Sequence, residues 1–386
     1  MSVTSRNANP QGNGVDAPTR DIIAPHQLIQ STYLRLQHRY LKHLCENWIE
    51  KMEPVKHIHD DLAIAALLIE LWRNMYGAVP ETETTKEQQI NAQFPGFIDI
   101  ACGNGVVVYV LLMEGYSGCG YDARRRQTWS IFPASVQERL IEKTYIPKPF
   151  ADTMDTKDVG MTIYFGDFQP DTFIISNHAD ELTVWTPLMS ALACPSSPLP
   201  FLAIPCCSHS LSGSSYRYPP PNETRTETST QPHDVIEQNP QPASGDLRAM
   251  RAAKAKEKTT DGIISSMYGS LTAKTMQIAQ EIGYEVESTQ LQISSTRNMA
   301  IVGGRQLVTC QRKAGIRDEN SAPASVDPQA KYNAELIQKT KEIIERECVK
   351  DGGIPAAART WIERARSLHE GTQMGDHRLM PPKISA

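Results

Sequence analysis

Between Asp99 and Asp122 the chain sets two carboxylates around a run of small residues, and that spacing has a chemistry. Asp99 lies inside the short apolar run Phe97-Ile98-Asp99-Ile100, where a carboxylate is costly unless it has a role. Ala101-Cys102-Gly103-Asn104-Gly105 follows, small or turn-forming throughout. Gly103 and Gly105 let the backbone approach a ligand without a Cβ in the way. The helix-like run Val106 to Met113 then offers free N–H groups at its start to a carboxylate or phosphate. A second short strand begins near Gly118 and ends on Asp122, about 20 residues past the turn, where an acid can reach a ribose. The unit reads as a nucleoside-binding crossover. An ordinary glycine-bearing βα turn is the bland alternative. The third glycine of a dinucleotide fingerprint is absent, which disfavours a nicotinamide-dependent oxidoreductase.

A second constellation ends another apolar run, Thr172 to Ser176, in Asn177-His178-Ala179-Asp180-Glu181. One acid there could cap the helix that runs to about Leu192, but a cap does not account for Asn177, His178 and both acids together. Phe201 to Pro205 reads as the next strand, ended by Cys206-Cys207-Ser208-His209. Adjacent cysteines rarely both ligate one metal and no second ligand pair is evident, so no metal is expected. Cationic groups follow both motifs. Arg124, Arg125 and Arg126 stand at the ligand edge of the sheet, and Arg248, Arg251, Lys254, Lys256 and Lys258 form a basic stretch. Each could meet RNA phosphates or be a solvated helix face.

Other elements must position these groups. Apolar residues recur at three- and four-residue steps from Pro25 to Met52, and a helix apolar nearly all round runs from about Asp60 to Tyr76. Lys56, His57 and His59 precede it; the two histidines could face a ligand, but such residues are more often surface groups or caps. Pro133 to Phe150 has helix and loop character. Met161 to Phe165 reads as a third strand, followed by Gly166-Asp167, with Thr172 to Ser176 and Phe201 to Pro205 as fourth and fifth. Leu271 to Ile282 is an amphipathic helix, and Tyr284–Glu287 and Met299–Gly303 suit an antiparallel terminal pair around the polar turn Ser294 to Asn298. The expected organisation is a disordered segment at 1–22, a helical region at 23–93 and a core at 94–304 with a Ser/Thr/Pro-rich flexible insertion at about 212–246. A linker and helical extension at 305–386 complete it.

A net charge of −5 gives no global basic field, so any nucleic-acid contact must be local. The eight cysteines form no C-x-x-C pair, which fits reduced thiols in a cytosolic protein. No apolar run reaches membrane-spanning length and the first 30 residues lack a signal-peptide core, so a cytoplasmic protein without membrane contact is expected.

The Asp99 strand, the glycine loop and Asp122 resemble the cofactor motifs of class I S-adenosylmethionine-dependent methyltransferases. The ordered set DDLAIAALLIELW (60–72), FIDIACGNG (97–105), GCGYDARRRQTW (118–129), ISNHADELTVW (175–185), IPCCSH (204–209) and STRN (295–298) resembles the eukaryotic tRNA(Ser) uridine-44 2′-O-methyltransferase family. Ala101 stands where that loop usually has a glycine, and residues 305–386 find little counterpart. The resemblance implies a Rossmann-like doubly wound α/β sheet with a terminal antiparallel strand. It implies S-adenosyl-L-methionine as cofactor, tRNA as substrate, and methylation of a uridine ribose 2′-oxygen, and it leaves room for a tRNA-binding helper protein. Asp99, Cys102, Gly103, Asn104, Gly105 and Asp122 would hold the cofactor, and Asp167 its adenine. Asp180, with His178 or Glu181 behind it, would take the hydroxyl proton. Arg124, Arg125, Arg126, Arg248, Arg251 and Arg297 would contact RNA. A methyltransferase acting on another RNA, or a non-catalytic RNA-binding scaffold with this fold, remains open at this point.

Overall fold

A computed structural model describes residues 23–51, 53–83, 94–153, 162–220, 266–315 and 326–377. The expected disordered segment, most of the insertion, and the basic stretch with Arg248 and Arg251 lie outside the described residues.

Helix α1 (His26–Leu36) runs through a π-turn at Gln37–Leu41 into α2 (Lys42–Glu46), where one continuous helix is expected from the periodicity. Helix α3 (Pro54–Tyr76) starts on Pro54, which suits a first helical position, and stops at Gly77 in the left-handed conformation. It therefore begins six residues earlier than its apolar run, and the extra residues carry His57 and His59. From Leu62 to Trp72 nearly every side chain is buried, as expected of a helix sandwiched between layers.

The sheet begins with β1 (Phe97–Ile100), α4 (Val106–Met113) and β2 (Gly118–Asp122), matching the strand–turn–helix–strand reading residue for residue. A short helix α5 (Ala134–Gln137) leads to β3 (Leu140–Glu142), then β4 (Thr144–Tyr145), α6 (Lys148–Ala151) and β5 (Ile163–Tyr164). The core continues through β6 (Phe173–Asn177), α7 (Leu182–Ala193), β7 (Phe201–Ile204), α8 (Met267–Ile282), β8 (Val286–Gln290) and β9 (Met299–Gly303). Three further helices follow: α9 (Arg305–Gly315), α10 (Val326–Cys348) and α11 (Ile354–His377). The seven-stranded sheet has the order β3-β2-β1-β6-β7-β9-β8, with β9 antiparallel to both neighbours and the other pairs parallel. This is the doubly wound α/β arrangement, with its switch point between β1 and β6, where a crevice opens beyond the carboxyl ends of the strands.

One expectation fails here. The third strand of the sheet is Leu140–Glu142, in a segment read as helix and loop, and not 161–165. Ile163–Tyr164 pairs instead with Thr144–Tyr145 in a separate two-stranded sheet. A three-residue strand with one buried side chain, Leu140, leaves almost no apolar period to read.

Strand alternation sends successive side chains to two cores. Phe97 stacks on Trp72 of α3, whose ring also meets Phe94, Tyr116 and Phe173. Ile98 and Ile100 face the opposite layer, built from α7, α8, α10 and α11. Residues 212–220, expected inside the flexible insertion, are packed against this second layer. Ser212 and Tyr218 are buried, and Ser212 Oγ donates to Asp351 beyond α10. The Ser and Pro content hid this, because the partner residues lie some 140 positions away in sequence.

Candidate cofactor and acceptor site

A cavity of about 440 Å³ opens beyond the carboxyl ends of β1, β2, β3 and β6. The glycine loop forms its floor. Ala101 and Gly103 have φ of 60° and 54°, so the chain leaves β1 by a left-handed turn that a larger branched residue would strain. Space for a Cβ on Gly103 is open, which leaves its backbone bare toward the cavity. At Gly105, φ 77°, a Cβ would come within 3.0 Å of Leu140 and 3.1 Å of Trp129 Nε1.

The loop is clamped from both sides. Gly103 N donates to Asp122 Oδ2 at 2.9 Å and Arg124 N to Oδ1 at 3.0 Å, so Asp122 holds the loop and lines the cavity at once. Trp129, fully buried, donates from Nε1 to Gly103 O at 2.9 Å, which makes it a buttress of the loop. Asn104 accepts from Val106 N at the start of α4 and donates to Asp61 Oδ2 on α3, each at 2.8 Å. Cys102 lines the cavity, and burial, followed by the charges of Asp99 and Asp122, pushes its thiol well up.

Asp99 shares a β1 face with Phe97 and is buried beneath this loop rather than on the cavity wall. Burial, then the charges of Asp61 and Asp122, raises its carboxyl well above the usual range, and Oδ1 has no hydrogen-bond partner. Asp167, expected at the adenine, is exposed on the loop after β5 and does not line the cavity. It follows the wrong strand. The residues that do follow β3 and reach the cavity are Lys143, Thr144 and Tyr145.

On the far wall, β6 delivers Asn177, His178, Asp180 and Glu181 together. His178 and Asp180 have φ of 50° and 44°, uncommon for residues with a Cβ, and the backbone is held there by His178 N donating to Ile204 O at 3.0 Å. Glu181 occupies the N-cap of α7 without a side-chain capping bond, so neither acid is spent as a cap. Asn177 Oδ1 is buried without a partner. Burial, more than any neighbouring charge, lowers the His178 pKa and favours its neutral imidazole. Cys206 Sγ donates to Asp180 Oδ1 at 2.9 Å, and burial followed by this bond raises the thiol pKa strongly.

Asp180, Cys206 and Cys207 bring three possible ligand atoms within 4.8 Å of one another. The guanidinium of Arg297 lies 3.5 Å from Cys207 Sγ, a cation where a metal ion would have to compete. Arg297 arrives on the turn whose Ser294 is bound to Asp60 of α3. Arg124 and Arg126 line the cavity, and Arg126 Nη2 lies 3.9 Å from Asp122. Arg125 instead turns to Gln137 and lies over the Trp129 ring.

Several wall residues escaped the sequence reading. Asp61 comes from α3, and Trp361, Arg364 and Leu368 from α11; His57 of α3, one of the two histidines that could face a ligand, lines the cavity too. His59, the other histidine before the apolar run, shares a hydrogen bond with Tyr33 instead. Trp361 is fixed by donating from Nε1 to Tyr145 O at 3.0 Å.

The open backbone at Gly103, the free remaining acceptor capacity of Asp122 and the unpartnered Asn177 Oδ1 fit a nucleoside ligand with a polar tail. A family model described as "Predicted AdoMet-dependent methyltransferase" matches residues 24–147. Three fungal proteins named tRNA (uracil-O(2)-)-methyltransferase are similar over most of the chain. The one from Aspergillus oryzae is 52% identical over 94% of this chain and 58% of its own length. Those from Neurospora crassa and Saccharomyces cerevisiae are 37% and 33% identical, over 74% and 71% of this chain and 48% and 46% of theirs. The chain is thus similar to AdoMet-dependent methyltransferases over residues 24–147 and to these tRNA methyltransferases over most of its own length. It spans about half the length of these curated relatives. No solved structure matches it. Among the described residues no helix is long and apolar enough to cross a membrane.

Proposed function

We propose that this chain transfers a methyl group from S-adenosyl-L-methionine to the ribose 2′-oxygen of a uridine in tRNA, at position 44 of tRNA(Ser). The single observation that carries the reading is the facing of two unlike walls across one cavity. The clamped glycine loop with Asp122 stands on one side, and Asn177, His178, Asp180 and Glu181 stand on the other. The names of the relatives support the tRNA uridine substrate, and the family resemblance supports position 44.

The cofactor supplies an electrophilic methyl group on a sulfonium. The chain's own residues then align, exclude water and move a proton. Gly103, Asn104 and Gly105 would take the methionine part against bare backbone, and Asp122 the ribose hydroxyls. A ribose hydroxyl is a poor nucleophile until its proton leaves. Asp180 is the proposed acceptor of that proton, with neutral His178 and Glu181 on the same wall as the other groups within the cavity. Asn177, with its free buried oxygen, would orient the hydroxyl. Arg124 and Arg126 on the cavity wall, with Arg297 beside Cys207, would meet RNA phosphates. A tRNA-binding helper protein would add affinity for the body of the tRNA.

The test is methylation of unmodified tRNA(Ser) transcripts followed by nucleoside mapping. Transfer to U44, abolished when that nucleotide is 2′-deoxy, is the expected result. Transfer at another position, or to the base of the deoxy substrate, contradicts it.

A further inference from the structure

Two of the three acids around the glycine loop lack a counter-charge. Asp61, Asp99 and Asp122 converge there from α3, β1 and β2, near enough that the charges of Asp61 and Asp122 both act on Asp99. Asp122 has two backbone N–H groups and Arg126 nearby. Asp61 and Asp99 form no ion pair with any described residue. Of these two, Asp61 is the one that lines the cavity.

Asp61 is also oriented. Its Oδ2 accepts from Asn104 Nδ2, and the Asn104 amide is itself fixed at its other end by Val106 N. That leaves Oδ1 without a hydrogen-bond partner among the described residues. Asn104 and Asp60 act on Asp61 directly; His57, Cys102, Asp122 with its neighbour Arg126, and His178 share the cavity lining with it, and Asp99 lies beneath. Asp60 is taken up by Ser294. Beside the loop Asp60, Asp61, Asp99 and Asp122 face one nearby guanidinium, Arg126, so this corner suits a small cationic donor.

We propose that Asp61 is the counter-charge for the α-ammonium group of the cofactor's methionine end. This rests on the cofactor reading given above and extends it. The cofactor would then be read by a helix outside the sheet as well as by the glycine loop. One ammonium between Asp61 and the loop neutralises the site and occupies the free Oδ1 with a charged hydrogen bond. It also relieves the repulsion that Asp61 exerts on buried Asp99. Asp61 is thus a specificity-determining residue. It favours a ligand with a positively charged amino group over the same ligand without it.

Calorimetric titration of the full chain, in chelator-treated buffer, tests this with two ligands. One is the demethylated cofactor product, S-adenosylhomocysteine, and the other is its analogue lacking the α-amino group. The unsubstituted chain should prefer the amino-bearing ligand by about ten- to a hundredfold, as a charged hydrogen bond implies. Asp61→Asn keeps the shape and should shrink that preference to about threefold or less, leaving affinity for the amino-free analogue nearly unchanged. An undiminished preference in Asp61→Asn overturns the proposal, and so does an equal loss for both ligands, which would mark Asp61 as a support of the loop. If Asp61→Asn does not fold, the unsubstituted chain still decides. Burial raises the Asp61 carboxyl to about 7, so at pH 7 the amino-bearing ligand should release roughly half a proton that its analogue does not. Equal proton release by both ligands overturns the proposal. A third titration with magnesium ion alone should show no binding. Binding that Asp61→Asn abolishes would make the site one for a divalent cation and overturn the proposal. Failure of both nucleoside ligands to bind the unsubstituted chain would instead remove the cofactor reading, and this inference with it.

Discussion

The two walls of the cavity are built on opposite principles. Around the glycine loop the backbone is tied down, and among the described residues the oxygens left without a partner belong to the carboxylates Asp61 and Asp99. Asp122, Asn104 and Trp129 each make bonds that fix Gly103 or the start of α4. At the end of β6 the backbone is forced into left-handed turns at His178 and Asp180, while Asn177 Oδ1 and Ser176 Oγ are buried without partners. Strain and unsatisfied groups persist where the surroundings over-determine them, commonly at sites of chemistry. The difference teaches a division of labour. The loop wall is pre-organised to hold a ligand, and the β6 wall is left incomplete for an acceptor to complete.

Five substitutions, the last two made together, would break or sharpen that comparison, and the largest effect is expected on the β6 wall. Asp180→Asn should lower single-turnover methylation by about 10²–10⁴, the usual contribution of a positioned base, with cofactor affinity unchanged. Higher pH should partly restore it. On the loop wall, Asp122→Ala should weaken cofactor binding by about 1.5–3 kcal/mol in a calorimetric titration, the range for a hydrogen bond to a charged group. Trp129→Phe removes one hydrogen bond to Gly103 O and should cost about 0.5–1.5 kcal/mol of thermal or chemical stability, with cofactor affinity falling alongside. Charge-neutral replacement of Arg124 and Arg126 should be mildest. It should flatten the salt dependence of tRNA binding by about one unit of slope per lost phosphate contact, with cofactor binding retained. An unchanged slope would make both arginines supports of Asp122.

The pH dependence of cofactor binding separates the walls further. The Asp61 carboxyl is raised by burial to about 7, so the ligand-free fold bears a growing cost as pH rises from about 4 to 7. A cationic ligand relieves that cost. Thermal stabilisation by S-adenosylhomocysteine should therefore grow across this window and level off above it, and Asp61→Asn should flatten the profile. His57, Asp60, Asp99, Asp122 and His178 face the same region, so the substitution is needed to assign the effect.

The loop wall was the more legible of the two in the sequence. Phe97 to Asp122 announces itself through short apolar runs punctuated by glycine, and local signals of that kind survive without tertiary information. The β6 wall was legible as a cluster, because polar residues crowding the end of a buried run break the pattern at Asn177. Long-range geometry was not legible. Asp61 belongs to a helix whose apolar content reads as pure packing, and Trp361 and Arg364 join the cavity from more than 200 residues beyond the glycine loop. Asp167 was misassigned for a related reason: the three-residue strand at Leu140 carries too little apolar pattern to be counted, which shifted the strand order by one.

Single-turnover methylation of unmodified tRNA, run at rising cofactor concentration with Asp122→Ala and Asp180→Asn side by side, tests the division of labour most directly. The account predicts that Asp122→Ala approaches the unsubstituted rate once cofactor is saturating, whereas Asp180→Asn stays about 10²–10⁴ slower at every concentration. A rate for Asp180→Asn close to that of the unsubstituted chain, or an Asp122→Ala defect that saturation does not repair, would contradict it.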